Sequence, residues 1–208
     1  DVSGVGTARM ELAAATYGTD KAIFGYGTNS SEGTPLSLTN LVNNSGVVAS
    51  DTTGVGTDKR TLAATGYGTD KAIFGYGYDT GNASITNLVS NSGVVATDTS
   101  GVGTARYGLA AARYGGDKAL FAYGYASGNV SLKNLVSNLG VVAADVSGVG
   151  TARQGVAAAG YGGDKAIFSH GSTHVSNLVN NTGVVAADVS GVGTSRQYLA
   201  AAGYSTSA

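Results

Sequence analysis

The chain repeats itself with a period of 43 to 50 residues, and nothing else in it constrains the fold as strongly. The phrase Gly-Val-Gly-Thr, leading through a basic residue to Leu-Ala-Ala or a close variant, starts at Gly4, Gly54, Gly101, Gly148 and Gly191. Three further phrases return in order within each period. Asp-Lys-Ala-Ile-Phe or a variant starts at Asp20, Asp70, Asp117 and Asp164; Asn-Leu-Val at Asn40, Asn87, Asn134 and Asn177; and Gly-Val-Val-Ala at Gly46, Gly93, Gly140 and Gly183. This divides residues 1–208, read as a single repeat domain, into copies at 4–53, 54–100, 101–147 and 148–190 and a partial copy at 191–208. A unit of this size buries its apolar faces only against its neighbours, so the array must stack.

Each period holds four short runs, in the third copy near 105–114, 118–123, 130–137 and 141–144. They are rich in Val, Ile, Leu, Phe and Tyr and are bounded by Gly, Asn, Asp and Ser clusters, which is a strand signature. Those boundary residues turn the chain because glycine tolerates positive φ and Asn and Asp bond nearby backbone. The Leu-Ala-Ala-Ala phrase has high helix propensity. Turn residues close on both sides leave it too short for a helix, and strand is the better reading. Four short antiparallel strands per period predict an all-β fold, a β-propeller of four-stranded blades. A β-solenoid or a filament of stacked repeats is the alternative.

Taken together, the copies resemble the kelch repeat. Arg106 to Ala112 and then Ala119-Leu120-Phe121-Ala122-Tyr123-Gly124 follow its outline of a basic, Ala-rich strand and an aliphatic-aromatic strand closed by glycine. The resemblance covers almost the whole chain and implies a propeller. The chain departs from the kelch pattern in place of the double glycine, as at Gly25-Tyr26-Gly27, and in having no Trp. The near-identity of the copies is also similar to repeat proteins of marine phages and environmental bacteria. That likeness implies a tail-fibre or surface-appendage role, with localisation at a virion or extracellular surface. The start at Asp1-Val2-Ser3-Gly4, which matches Asp145-Val146-Ser147-Gly148 inside a copy, reads as a piece of a longer array. Self-association or a further chain segment would then complete a ring.

Composition narrows the chemistry. Twelve basic against thirteen acidic residues leave no basic stripe for nucleic acid, and the absence of cysteine excludes disulfides and thiolate metal sites. No apolar run approaches the ~20 residues of a membrane span. The charges recur with the repeat. Asp20, Asp70, Asp117 and Asp164, and separately Asp51, Asp98, Asp145 and Asp188, stand at turns where a local Asx bond is expected. Arg9, Lys59, Arg106, Arg153 and Arg196 share one register and are expected to bridge neighbouring turns or blades. One carboxylate per turn is too few for a calcium loop, and His170 and His174 have no third ligand for zinc. Gly101-Val102-Gly103 precedes no helix of the kind a phosphate loop needs. No cofactor or metal is expected.

The phenylalanines at one repeat position, Phe24, Phe74, Phe121 and Phe168, are expected to fill the space between blades. The loop after that strand carries most of the length variation and is the place to seek a ligand. Tyr26, Tyr76, Tyr123 and His170 stand at its entrance, with Tyr78 and Tyr125 just beyond. Their rings suit sugars and peptides, so a glycan or protein surface ligand is the partner expected. Sequons at Asn82-Ala83-Ser84 and Asn129-Val130-Ser131 lie in the same loops. The functional expectation is a non-catalytic structural or adhesive module, with a lectin-like propeller of one shallow site per repeat as the alternative.

Overall fold

A computed structural model of the chain describes residues 4–30 and 33–203, so expectations for the partial copy from Tyr204 onward lie outside the described residues. Each full copy supplies one antiparallel meander of three strands. Sheet 1 comprises β1 (Ala13–Tyr17), β2 (Lys21–Gly25) and β3 (Thr39–Val42), and sheet 2 comprises β4 (Ala63–Tyr67), β5 (Lys71–Gly75) and β6 (Thr86–Val89). Sheet 3 comprises β7 (Ala110–Tyr114), β8 (Lys118–Ala122) and β9 (Lys133–Val136), and sheet 4 comprises β10 (Ala157–Tyr161), β11 (Lys165–Ser169) and β12 (Ser176–Val179). The described residues contain no helix long and apolar enough to cross a membrane. The Ala-rich phrase is strand in all four copies. Pairing within the sheets is antiparallel throughout, which a parallel solenoid does not have.

The alanines make sense as strand residues because interior sheets are covered on both faces. Ala63, Tyr67 and Ile73 of sheet 2 pack against Leu109, Phe121 and Val136 of the third copy. Ala64, Ala72, Phe74 and Val89, on the other face of sheet 2, pack against Ala15, Tyr17, Ile23 and Tyr26 of the first copy. The same pattern joins copies three and four. Small side chains let the first strands β1, β4, β7 and β10 run beside one another in succession. Five equivalent positions, Leu12, Leu62, Leu109, Val156 and Leu199, line one cavity of about 390 Å³.

Backbone hydrogen bonds fasten each copy to the next at three points. Between copies two and three they run from Gly68 N to Asp117 O, from Gly77 N to Arg106 O, and from Gly108 N to Thr61 O. The set recurs between copies one and two as Gly18 to Asp70, Gly27 to Lys59 and Thr61 to Glu11. Between copies three and four it is Gly115 to Asp164, Gly124 to Arg153 and Gly155 to Gly108. A strand turns its amides toward partners in its own sheet, so bonding along the stack requires a local rotation of the backbone. Glu11, Thr61, Gly108, Gly155 and Tyr198 supply it, with φ of 56°, 49°, 62°, 65° and 55°. A non-glycine residue in this left-handed region costs about 1–2 kcal/mol, and the bond donated and the bond accepted along the stack offset it.

The expected four-stranded blade is corrected to three strands. The fourth run meets the third strand only at isolated bridges, such as Val42 with Val48 and Thr39 with Thr52 in the first copy. Two residues lie between the bridges on one side and three on the other, and the same excess of one recurs in every copy. An extra residue of this kind is a β-bulge, which breaks the ladder and frees backbone groups. The freed carbonyl is met by the asparagine of Asn-Leu-Val. Nδ2 of Asn40, Asn87, Asn134 and Asn177 donates to the carbonyls of Ala49, Ala96, Ala143 and Ala186 at 3.0–3.1 Å.

Candidate ligand-binding face

The bulge asparagine is the centre of a polar chain that orders each copy. In the third copy, buried Arg106 donates from Nη2 to Asn134 Oδ1 at 2.7 Å, and Asn134 Nδ2 donates to Asp145 Oδ1 at 2.9 Å. Thr104 closes the chain on Asp145 Oδ2 through its amide at 2.9 Å and its hydroxyl at 2.6 Å. Copies two and four repeat it with Lys59-Asn87-Asp98-Thr57 and Arg153-Asn177-Asp188-Thr151, and copy one with Arg9-Asn40-Asp51-Thr7. Burial alone would raise the Asp145 carboxyl, but the bonds from Thr104 and Asn134 outweigh it and hold the group below its ordinary value. These aspartates therefore bond across the copy and not within their own turn, which corrects the Asx expectation. The other set is also held from outside its turn, as Asn91 Nδ2 donates to Asp70 Oδ2 at 3.0 Å.

The cation of this chain carries the next contact, to the preceding copy. Arg106 stacks over the ring of Tyr76 at 4.3 Å, Arg153 over Tyr123 at 3.9 Å, and Lys59 over Tyr26 at 4.6 Å. Each ring also meets the next phenylalanine: Tyr26 with Phe74, Tyr76 with Phe121 and Tyr123 with Phe168, at centroid distances of 5.1, 5.1 and 5.6 Å. Tyr76 Oη donates to Val102 O at 3.1 Å, and burial pushes this phenol up to about 12. Tyr26, Tyr76 and Tyr123 are no more than 1% exposed, so their rings belong to the junctions and not to a ligand surface. His170 takes the same place in copy four, half-buried, with Ser169 Oγ 2.8 Å from its Nδ1 and Arg196 Nη2 3.4 Å from its Nε2. Among the described residues no three metal-ligating side chains come together.

Tyr78 and Tyr125 are placed differently. Each leaves the kink at the end of its Phe strand and forms a two-way backbone bridge with the start of its copy, Tyr78 with Arg60 and Tyr125 with Tyr107. Their rings stay half-exposed and join through Tyr107: Tyr78 lies 5.7 Å from Tyr107, and Tyr107 lies 5.4 Å from Tyr125. The Arg60 guanidinium sits 5.5 Å from the Tyr78 ring and pairs with Glu11 of the first copy at 3.4 Å. Glu11, Arg60, Thr61, Tyr78, Tyr107 and Tyr198 line a depression of about 280 Å³. Desolvation first, then the neighbouring tyrosines, raises the Tyr107 phenol, which stays neutral at physiological pH. Of the two sequons, Asn82 has its amide engaged, donating from Nδ2 to Ala126 O at 2.9 Å.

Tyr107 was absent from the residues expected to bind, although the sequence carries a signal for it. It stands where the other copies have Met10, Arg60, Gln154 and Gln197, a position that varies between a basic residue and a Leu-Ala-Ala phrase that recur in nearly every copy. The row of tyrosines with an adjacent ion pair can stack on a flat, partly apolar ligand face and hydrogen-bond its edge. No protein-family model matches the chain, and no curated protein matches it.

Proposed function

We propose that the chain is a non-catalytic structural or adhesive module, with its sheets arranged in the manner of propeller blades, acting at a virion or cell surface. The propeller reading is supported by the succession of adjacent first strands and by the cavity that their flanking positions line together. The adhesive reading rests on one observation: repeat-locked polar chains tie up the recurring charges, while the half-exposed Tyr78–Tyr107–Tyr125 row departs from the repeat. A saccharide is the ligand class it suits best, since sugar rings have apolar faces for stacking and hydroxyl edges for Arg60 and Glu11. The site then spans copies one to three, with no equivalent in each repeat.

Titration against a panel of immobilised oligosaccharides tests the adhesive reading. Because the chain has no Trp, tyrosines dominate its emission, and the difference between the wild type and Tyr107→Ala isolates the contribution of the row. Tyr107→Ala should weaken binding by about fivefold or more, since stacking on one ring is worth roughly 1–3 kcal/mol, while leaving the thermal midpoint nearly unchanged. Binding that is indifferent to Tyr107→Ala, or chemical turnover of the saccharide, would overturn the reading.

A further inference from the structure

The two outermost sheets each expose one half of a junction that is complete everywhere inside the chain. Phe24 on the front of sheet 1 is 38% exposed, whereas Phe74, Phe121 and Phe168 are fully buried by the copy before them. On the rear of sheet 4, Tyr161 is 37% exposed and Leu178 39%, whereas Tyr17, Tyr67 and Tyr114 are 2–4% exposed beneath the copy after them. The partial copy covers this rear face only in part. Its described residues form two backbone fasteners, Gly171 N to Arg196 O and Tyr198 N to Gly155 O, and are exposed nearly throughout. Its Ala200–Ala202 correspond to Ala13–Ala15 of β1 but pair with no strand among the described residues.

We infer that a second copy of this chain docks head to tail, placing the front of its sheet 1 on the rear of sheet 4 and displacing the partial copy. The occupant follows from the three internal junctions, which specify what covers such a face: another sheet of the same repeat, in the same register. The incoming Asp20 carbonyl accepts from Gly162 N, as Asp70, Asp117 and Asp164 accept from Gly18, Gly68 and Gly115 at the internal junctions. The carbonyl of Arg9 replaces that of Arg196 on Gly171 N, and Glu11 N replaces Tyr198 N on Gly155 O. Phe24 enters the position beside Ser169 that Phe168 occupies beside Ala122, and the incoming Arg9 takes the place of Arg196 at His170. The interface is heterologous, so each docked copy leaves one free front and one free rear and growth continues unless the curve closes.

Sedimentation velocity on the wild-type chain over a hundredfold concentration range should show species growing beyond the monomer. Phe24→Asp blocks the front face and Leu178→Lys the rear face, and each variant alone should sediment as a monomer. Mixed in equal amounts, they retain one good front and one good rear between them and should form a dimer that grows no further. Ala14→Asp and Tyr161→Lys form a second pair in case circular dichroism shows either first variant unfolded. Tyr198→Pro dislodges the partial copy without touching either face and should tighten association by about fivefold, the equivalent of one lost hydrogen bond. A wild-type chain that stays monomeric throughout, single variants that still assemble, or folded variants that fail to combine on mixing would each overturn the inference.

Discussion

Lys59 occupies a site that the other full copies give to arginine, and the difference has a thermodynamic consequence. Its ammonium is fully buried between Asn87 Oδ1, at 2.6 Å, and the Tyr26 ring. Desolvation lowers it to about 8, partly opposed by the charge of Asp98. In the unfolded chain the same amine titrates near 10.5. Between these values the unfolded state binds more protons than the folded one, so this group makes stability rise with pH across that window. Urea midpoints measured from about pH 7.5 to about pH 9.5 should therefore increase in the wild type, by the equivalent of roughly 1–2 kcal/mol. Lys59→Arg should flatten the rise, because a guanidinium stays charged throughout and has the fork that Arg106 and Arg153 use at this site. Identical slopes in the two proteins would contradict the assignment. Above about pH 10 the sign reverses, since the buried Tyr26 and Tyr76 have raised values in the folded state and resist ionising there.

At the scale of the element, the bulge in the fourth run is where the repeat exchanges a strand for a polar anchor. Asn134→Ala leaves the buried Arg106 guanidinium without one acceptor and the Ala143 carbonyl and Asp145 without a donor, and should cost about 2–4 kcal/mol in chemical unfolding. Asn40→Ala should cost about half as much, because its cation Arg9 is only half-buried and water can replace the missing partner. Equal costs would mean that the asparagine acts by packing alone. This element also marks the limit of what the sequence disclosed. The three strands were legible from apolar runs and turn residues, and the phenylalanines from their single place in the period. The bulge was not, because a run such as Val141 to Ala144 reads as strand whether or not an extra residue interrupts its pairing. The tyrosines were misplaced for a related reason. Tyr76 follows Gly75 at φ 62°, and a left-handed residue sends its ring into the next sheet and away from the loop. Tyr78 and Tyr125 stand in the loop as their place in the sequence indicates, while their link through Tyr107 depends on a bridge between segments that are distant in sequence.

For the whole molecule, stability should follow the number of junctions each sheet makes. Proteins built from repeats that touch only their neighbours gain stability at each interface, and an end unit has one interface fewer. Sheets 2 and 3 are each clamped by two complete junctions; sheet 1 has one, and sheet 4 has one plus the partial copy. The inter-copy bonds supply a probe at each level, since the amides of Thr61, Gly108, Gly155 and Tyr198 occupy the same position in successive copies. Native-state hydrogen exchange in dilute solution should give Gly108 the greatest protection and Tyr198 the least. Cooperative opening of an end sheet should require about 2–4 kcal/mol less than opening of the interior, roughly what removing a large buried core side chain costs. Raising the concentration should then protect Phe24 and Tyr161 selectively, because head-to-tail docking turns both end sheets into interior ones. Uniform protection at every concentration would mean that the repeats unfold as one cooperative unit, and the nearest-neighbour account of this chain would have to be abandoned.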